Sequence, residues 1–492
     1  MPPPAARPSL ARLATRGALW TGFGHYVTFA LGLAKAIILA RLIGREYFGL
    51  LAGAAVWASY LSFARLDLRL AVLKSREEPE TLNTQFLLEN ASASAGLMVA
   101  ALLALVWPHL ASPTVWWLIF VLLAAAQLEA LTSTSVYLTE RRLRQDVLGR
   151  FTALAAVIGS VVPVLVALGG AALPALLVDA VLPVLIPRLG SLLFTRWRPA
   201  FVWDPRQLRE QLRLAWTLWS TGLLGKITYQ FDDWLVFNLN RPRPVIWLGS
   251  GVEPEALYDR AYSLGKLPMD LVAGMIGGNA LSLYVESAAR GPEVLVAVYR
   301  QVTWILAWMI FASGTYAFVA ADDLVHILGE QWVPMVPLLR LMILFVVGRP
   351  LFQNHAQLLL AMRRERDVRA AMAVQAVFIL LACPPAVYWF GAAGASVVVS
   401  VMSLIGLVIA ERRVTRSLGS PTWPLYVVPG SAAIAVLALV AVLGPTLPAS
   451  IWLSATVKGI VSALGFGTAL WLFDRAAALE AWRIVRRGVR RE

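Results

Sequence analysis

Charged residues recur at helical spacing inside apolar stretches of this chain. Two groups each lie on one face of a helix: Lys226, Gln230 and Asp233, and then Asp259, Tyr262, Lys266 and Asp270. A charge at the centre of a membrane helix costs about 2.5–3.5 kcal/mol on insertion scales, so such residues usually face a cavity or each other. The cations could therefore hold an anion, whereas Asp232, Asp233 and Asp270 could bind a proton or small cation.

Two further apolar stretches carry similar residues. The first holds a stripe of His25, Thr28, Gly32 and Lys35, and a later one holds Arg349 immediately before Pro350. Three polar stripes of net positive sign favour a wet, basic cavity between helices. A plainer alternative stays open: Lys266 can neutralise Asp270 and Lys226 can neutralise Asp233, while Lys35 and Arg349 extend to an interface.

Pro268 interrupts the stretch that carries Lys266. Proline has no N–H to donate to the carbonyl of Leu264, so a polar backbone group is freed near the lysine. This pattern predicts a broken helix that lines water or a ligand.

Composition defines the class of protein. The chain has 492 residues, 59% hydrophobic and 15% charged, whereas soluble domains have about 25% charged residues. A helix needs about 20 mostly apolar residues to cross the hydrocarbon core. The sequence therefore predicts an all-α, polytopic membrane protein with about fourteen membrane helices. Their predicted spans are 17–40, 47–66, 84–107, 115–139, 148–168, 172–195, 214–240, 258–285, 296–320, 333–361, 370–390, 393–410, 424–444 and 450–473.

The basic residues predict the orientation. Most of the 43 lysines and arginines fall in alternate loops and in the tail, as the positive-inside rule requires when both termini are cytoplasmic. The net charge of +14 then reflects topology, and we expect no nucleic-acid partner.

Two short sequence segments that resemble each other, which we call the sequence echo, predict an internal repeat. "RRLRQDV" follows the fourth span and "MRRERDV" follows the tenth, which indicates two parallel six-helix lobes in a pseudo-two-fold arrangement and two appended helices. We therefore divide the chain into an N-terminal lobe (1–195), a cytoplasmic linker with an interfacial helix (196–213), a C-terminal lobe (214–417), and a last helix pair with a basic tail (418–492).

Enzymatic and metal chemistry have little support in the sequence. It contains no phosphate-cradling glycine loop, nucleophile elbow or HExxH, and Cys383 is its single cysteine. We expect no catalytic residue, no metal site and no cofactor.

Four segments resemble one known family. They are "ILARLIGREYFGLLA" (38–52), "LNTQF" (82–86), "LYDRAYSLGKLPMDLV" (257–272) and "ILGEQWVPMVPLLRLMILFVVGRPLFQNHAQLLLAMRRERD" (327–367). In this order they look like the polysaccharide transporter (Wzx-type flippase) branch of the multidrug/oligosaccharidyl-lipid/polysaccharide (MOP) flippase superfamily.

The resemblance implies a flippase of the bacterial inner membrane that moves undecaprenyl-diphosphate-linked oligosaccharide by alternating access. Cations on the family's first, second, seventh and eighth helices line its cavity, and the matching positions are Lys35, Arg69, Lys226 and Lys266. Relatives often read aspartate, an apolar residue, then glycine where this chain reads Asp67, Leu68 and Arg69, so Arg69 is either a cavity charge or an inside anchor. The expected partners of such a flippase are the lipid-linked substrate, membrane lipids, a polysaccharide polymerase and export machinery.

Two other functions stay open. A multidrug or metabolite exporter of the same superfamily would share the helical core, but its cavity should be more acidic or apolar for cationic cargo. A membrane-embedded glycosyltransferase or ligase would need a sizeable outer loop with catalytic groups, and the loops here are short.

Overall fold

A computed structural model describes residues 28–66, 68–69, 78–142, 144–195, 197–200, 202, 204–239, 252–272, 280–444, 448, 450–475 and 479. Within these residues the chain is all-α, as predicted. The helices are α1 (28–42), α2 (Arg45–Leu61), α3 (Pro79–Val106), α4 (Pro113–Arg141), α5 (Gln145–Leu168), α6 (Ala172–Thr195), α7 (Pro205–Asn238), α8 (Val252–Val272), α9 (Ala280–Arg290), α10 (Pro292–Val319), α11 (Ala321–Leu328), α12 (Val336–Leu341), α13 (Ile343–Ala361), α14 (Glu365–Leu418), α15 (Pro424–Leu443) and α16 (Ile451–Phe473). Short 3₁₀ turns cover Ser62–Ala64, Pro108–Leu110 and Glu330–Met335.

Helix starts follow simple sequence signals. Five helices begin at a proline, whose missing N–H is one of the donors that a first turn leaves unpaired anyway. The side chain of Asp204 caps α7 by accepting a bond of 2.9 Å from the Arg206 N–H. The predicted interfacial helix and the seventh span are therefore one continuous helix, α7.

Length and composition make this a multi-pass membrane protein. Among the described residues, eight helices are long and apolar enough to cross a membrane, or up to nine if a pair bent by 52° near Met342 forms one span. Helix is present within each of the fourteen predicted spans. The count of fourteen membrane crossings itself stays a prediction.

α14 is folded back at a glycine. Its 54 residues would extend about 80 Å as one straight helix, far more than a bilayer of about 30 Å requires. Gly391 breaks it with φ 60° and ψ −142°, a backbone conformation that favours glycine. The two predicted spans 370–390 and 393–410 meet at this break.

Many of the helix contacts lie within two sets of helices. α2 to α6 contact one another, as do α7, α10, α13 and α14, and α15 and α16 pack on α10. α2 contacts α7 and α8, which joins the two sets. The exact lobe boundaries remain a prediction.

The same turn joins α4 to α5 and α13 to α14. In each turn, the backbone N–H of an arginine donates a hydrogen bond to the carbonyl five residues earlier. These bonds run from Arg144 to Thr139 at 3.1 Å and from Arg364 to Leu359 at 2.8 Å. This shared geometry supports the predicted repeat. The distance along the chain between the two turns differs by one residue from the distance between the two similar sequence segments.

Candidate functional site

Lys226 of α7 reaches across to α2. Its ammonium donates to the Ser59 carbonyl and, at 3.1 Å, to the Ser59 hydroxyl, and it lies 5.4 Å from the centre of the Phe63 ring. The predicted pairing with Asp233 is therefore wrong, because α2 supplies the partners of Lys226. Among the described residues, Lys226 makes no ion pair, so its positive charge is not neutralised by a carboxylate.

Arg349 of α13 sits among three aromatic rings. Its guanidinium donates to the Tyr262 hydroxyl at 2.6 Å and lies 4.0 Å from the Tyr229 ring centre and 5.3 Å from that of Phe345. Its Nε is buried without a hydrogen-bond partner, and no carboxylate of the described residues pairs with it. Arg349 is therefore a partly buried cation with an unused donor, and Asp232 lies close enough to act on it electrostatically although it forms no ion pair with it.

Lys226 and Arg349 meet the same stretch of α7. Lys226 and Tyr229 are three residues apart, so they lie on neighbouring parts of one helix surface. The guanidinium of Arg349 lies over the ring face of Tyr229. We call Lys226 and Arg349 together the cation site, since neither forms an ion pair within the described residues. The two residues combine positive charge, a free donor on Arg349 and aromatic faces, and such a set suits an anion that carries sugars.

Lys35 lies outside the cation site. Its ammonium forms an ion pair with Asp179 of α6, within the N-terminal half. Nothing in the sequence pointed to Asp179 as the partner, because 144 positions separate the two residues.

Lys266 pairs with Asp270 at 3.8 Å, and both side chains are about half exposed. This is the plain alternative predicted from their spacing. Asp270 also lines a cavity of about 240 Å³ between α1 and α8, together with Phe29, Gly32, Leu33, Ala36, Arg260, Ser263, Leu264, Leu267 and Leu328. α8 continues through Pro268, so the predicted break at this proline is wrong. A proline accepts helical φ and removes only one hydrogen bond here.

Arg69 donates to Glu140 at the end of α4 with a bond of 2.7 Å, and it is exposed. An exposed, paired arginine fits the anchor interpretation better than the cavity interpretation. His25 lies outside the described residues. The five predicted cations thus have five different main partners and make no contact with one another among the described residues.

The three carboxylates predicted to couple an ion, Asp232, Asp233 and Asp270, lie in two different places. Asp232 is 2% exposed, accepts a bond of 2.5 Å from the Tyr258 hydroxyl, and keeps a second oxygen without a partner. Asp233, Glu255 and Asp259 are close enough to act on it or on one another electrostatically. Asp270 is paired with Lys266 and belongs to the α1–α8 cavity instead.

We call Asp232, Asp233, Glu255 and Asp259 the acidic cluster. Glu255 is 1% exposed and has an unpartnered oxygen. The predicted polar stripe on α8 began at Asp259 and missed Glu255, although Glu255 stands four residues earlier on the same helix face. No group of three or more metal-ligating side chains in the described residues is arranged to hold a metal ion.

The two halves are also joined at the turn between α1 and α2. The Gln331 amide donates to the carbonyls of Ala40 at 2.6 Å and Ile43 at 3.0 Å, and the Trp332 indole donates to Ala40 at 3.0 Å. The Arg45 N–H returns a bond of 3.1 Å to Gln331. Side chains of one half therefore cap carbonyls at the end of α1 in the other, and we call this contact the latch.

The fold resembles solved transporter structures. A structure of the lipid II flippase MurJ in an inward closed conformation superposes with a TM-score of 0.71 at 10% identity, covering 93% of this chain and 99% of that one. An inward-facing multidrug resistance MATE family transporter of the MOP superfamily gives a TM-score of 0.52 at 15% identity, with 80% and 95% covered. These likenesses show the fold alone.

Sequence similarity points to polysaccharide biosynthesis. The succinoglycan biosynthesis transport protein ExoT of Rhizobium meliloti (strain 1021) is 25% identical over 346 residues. The match covers 68% of this chain but 66% of that relative, slightly less than two thirds of its length. The model of a family described as "Polysaccharide biosynthesis protein" matches residues 38–337. Since this match covers more than half of the chain, the chain belongs to the polysaccharide biosynthesis protein family, as the resemblance predicted.

Proposed function

We propose that this protein translocates undecaprenyl-diphosphate-linked oligosaccharide across the bacterial inner membrane by alternating access between its two halves. The family match, the ExoT relative and the MurJ-like fold all support transport in polysaccharide biosynthesis. We further propose that both termini are cytoplasmic, and that a polymerase and export machinery use the translocated product.

The cation site is the observation that carries this proposal. Lys226 lies in the predicted seventh span and Arg349 in the predicted tenth, yet no carboxylate of the described residues forms an ion pair with either. An unpaired buried cation is unfavourable unless a ligand or water compensates its charge. A diphosphate supplies that compensation through charge-assisted hydrogen bonds, while the aromatic faces of Tyr229 and Phe345 suit sugar rings.

Translocation requires the halves to separate on one side and then on the other. α2 and α7 touch at Lys226 and Ser59, so the Lys226 end of the cation site lies where the two predicted halves meet. The polyprenyl tail stays in lipid, because burying its apolar surface there needs no protein partner. Rocking of the halves then presents the bound diphosphate to the opposite side.

The acidic cluster supports a role in ion coupling. Asp232 and Glu255 are buried, whereas Asp233 and Asp259 are partly exposed, and Arg260 lies 3.6 Å from Asp259, so a single cation compensates only part of this acidic group within the described residues. We propose that Asp232 and Asp233 bind the proton or monovalent cation that drives the cycle, together with Glu255 and Asp259. Asp270 is not part of this group and remains a separate proposal.

The acidic cluster also favours one alternative, an exporter of cationic drugs or metabolites with the same fold. A carboxylate-rich region attracts cationic cargo, just as the cation site attracts anions. An embedded glycosyltransferase or ligase has less support, because the relatives found by comparison are transporters.

Transport in proteoliposomes separates these functions. Purified protein is reconstituted with a polyprenyl-diphosphate-linked oligosaccharide, and the fraction that reaches the outer leaflet is measured with a membrane-impermeant lectin or glycosidase. A parallel preparation measures export of a cationic dye. We expect protein-dependent translocation of the lipid-linked sugar and no dye export. Dye export without lipid translocation would favour the exporter.

A further inference from the structure

A second buried carboxyl lies in the N-terminal half, away from both the cation site and the acidic cluster. Glu89 is the eleventh residue of α3, about 15 Å along that helix, and its side chain is 0% exposed. One oxygen accepts bonds from the Leu68 N–H at 2.8 Å and the Tyr137 hydroxyl at 3.3 Å. The other oxygen is buried without a hydrogen-bond partner among the described residues.

No ion pair to this carboxyl forms within the described residues, although Arg65 lies close enough to act on it electrostatically. The arginine that approaches it from the α2–α3 connection, Arg65, is bound to Glu129 at 2.8 Å, and Glu129 also binds Arg188 at 3.3 Å. Tyr137 is the titratable group that faces Glu89 from α4. An ionised carboxylate with two donors and no ion pair is costly inside a membrane protein, whereas the protonated form is not.

Buried polar side chains lie next to Glu89. Gln85, one turn earlier on α3, donates to the Ser133 hydroxyl at 3.3 Å and accepts a bond of 2.8 Å from the Thr134 hydroxyl. A chain of buried polar groups on α3 and α4 therefore runs beside the carboxyl. Ser133 and Gln85 also act on Glu89 as hydrogen-bond partners, so this polar chain can accommodate either protonation state of the acid.

Glu89 also holds the backbone that follows α2. It accepts from Leu68, and Ser92 on the same helix accepts a bond of 3.1 Å from the Leu66 N–H. Phe63, just before, accepts a bond of 2.9 Å from the Trp219 indole of α7. The segment anchored by Glu89 is thus the one through which the end of α2 contacts the other half.

We propose that Glu89 is a proton-binding site, and that its protonation loosens the connection between α2 and α3. The ionised form accepts a charge-assisted bond from Leu68, which is about twice as strong as a neutral one. Binding a proton weakens that bond and frees the end of α2. This proposal does not depend on the identity of the transported molecule.

Infrared titration of the full-length protein in lipid nanodiscs tests the proposal. The spectra of wild type and Glu89→Gln are subtracted at each pH. We expect a protonated carboxyl C=O band that is present only in wild type and converts to a carboxylate band as pH rises. Glu140→Gln is the matched control, because Glu140 lies on α4 and pairs with Arg69, and the Glu89 band should persist in this variant. A Glu89 band that stays in one form at every pH overturns the proposal.

Hydrogen exchange tests the mechanical consequence. Where Glu89 is ionised, peptides covering 62–69 should exchange about tenfold more slowly in wild type than in Glu89→Gln, and this difference should vanish at lower pH. Equal exchange at every pH contradicts the role of Glu89 as an anchor. If Glu89→Gln does not fold, labelling wild type with an apolar carbodiimide still decides the matter. The modified fraction of Glu89 should decrease as the pH rises. A complete lack of modification at every pH overturns the proposal.

Discussion

Lys226 and Arg349 differ from the other predicted cations in what compensates their charge. Lys35, Arg69 and Lys266 each have a carboxylate partner, whereas Lys226 has a serine and Arg349 has a tyrosine and two ring faces. An ion that already has a counter-ion gains little from an anionic ligand. A cation without one gains a full charge-assisted bond, about 1.5–3 kcal/mol.

Neutralising either cation should therefore weaken substrate binding. We expect Lys226→Gln and Arg349→Gln each to raise the Kd for a polyprenyl diphosphate about tenfold or more, and to leave affinity for the corresponding polyprenol unchanged. Native mass spectrometry of detergent-purified protein measures both affinities. Lys266→Gln serves as the control, because its exposed ion pair contributes only about 0–1 kcal/mol. Equal losses in all three variants would contradict this assignment.

The Lys35–Asp179 pair has a structural role in this account. Removing one partner leaves a partly buried charge without compensation, so Lys35→Ala and Asp179→Ala should each lower the Tm. The double variant should recover part of the loss, which a double-mutant cycle of thermal unfolding in one detergent quantifies. Strictly additive losses would show that the two charges do not interact.

At the scale of elements, the last two helices are fixed to the C-terminal half by polar contacts. Lys458 of α16 forms an ion pair of 2.6 Å with Asp323 of α11, and both side chains are about nine-tenths buried. After the last residue of α16, Asp474 accepts bonds of 3.0 Å from the indoles of Trp304 and Trp308 on α10. Two anchors well separated along α16 hold it against the C-terminal half, so the helix pair should move with that half.

Breaking the buried anchor should cost far more than replacing it. Asp323→Ala leaves a buried ammonium unpaired and should destabilise the protein by about 3–5 kcal/mol. The combined change Asp323→Leu and Lys458→Met removes both charges and should restore most of the stability. Thermal unfolding measures both variants. A double variant as unstable as Asp323→Ala would show that packing volume, not charge, decides the outcome.

The sequence predicts elements much better than partners. Apolar length locates the helices, and the turn residues around Gly391 separate two spans, because these signals are local. The partner of Lys35, the serine that binds Lys226 and the cluster around Asp232 depend on contacts between distant helices, which no spacing rule contains. Glu89 was detectable as a carboxyl inside the predicted span 84–107, and the hydroxyl-rich run Thr132–Ser135 on α4 was the matching signal.

At the scale of the whole molecule, the latch and the contact between Lys226 and Ser59 both join the two halves. Alternating access requires such contacts to open in turn. Arg45 of α2 and Glu253 of α8 form an exposed ion pair of 3.3 Å beside the latch. Their exposure makes them suitable positions for thiol chemistry.

Cross-linking these positions should stop the cycle. We expect Arg45→Cys with Glu253→Cys, joined by a short thiol-specific reagent that a reductant cleaves, to lose translocation and to regain it on reduction. Arg340→Cys with Asp322→Cys is the control, because both residues belong to the C-terminal half and should tolerate a link. Unchanged translocation after complete cross-linking would mean that the latch does not open.

The most direct test of the central claim is translocation by a variant without the cation site. Proteoliposomes with wild type, Lys266→Gln, or Lys226→Gln combined with Arg349→Gln are compared for lipid-linked oligosaccharide reaching the outer leaflet at subsaturating substrate. If the two cations act independently, the rate should fall about 100-fold in the double variant and stay near wild type in Lys266→Gln. Wild-type translocation by a correctly folded double variant would contradict the account.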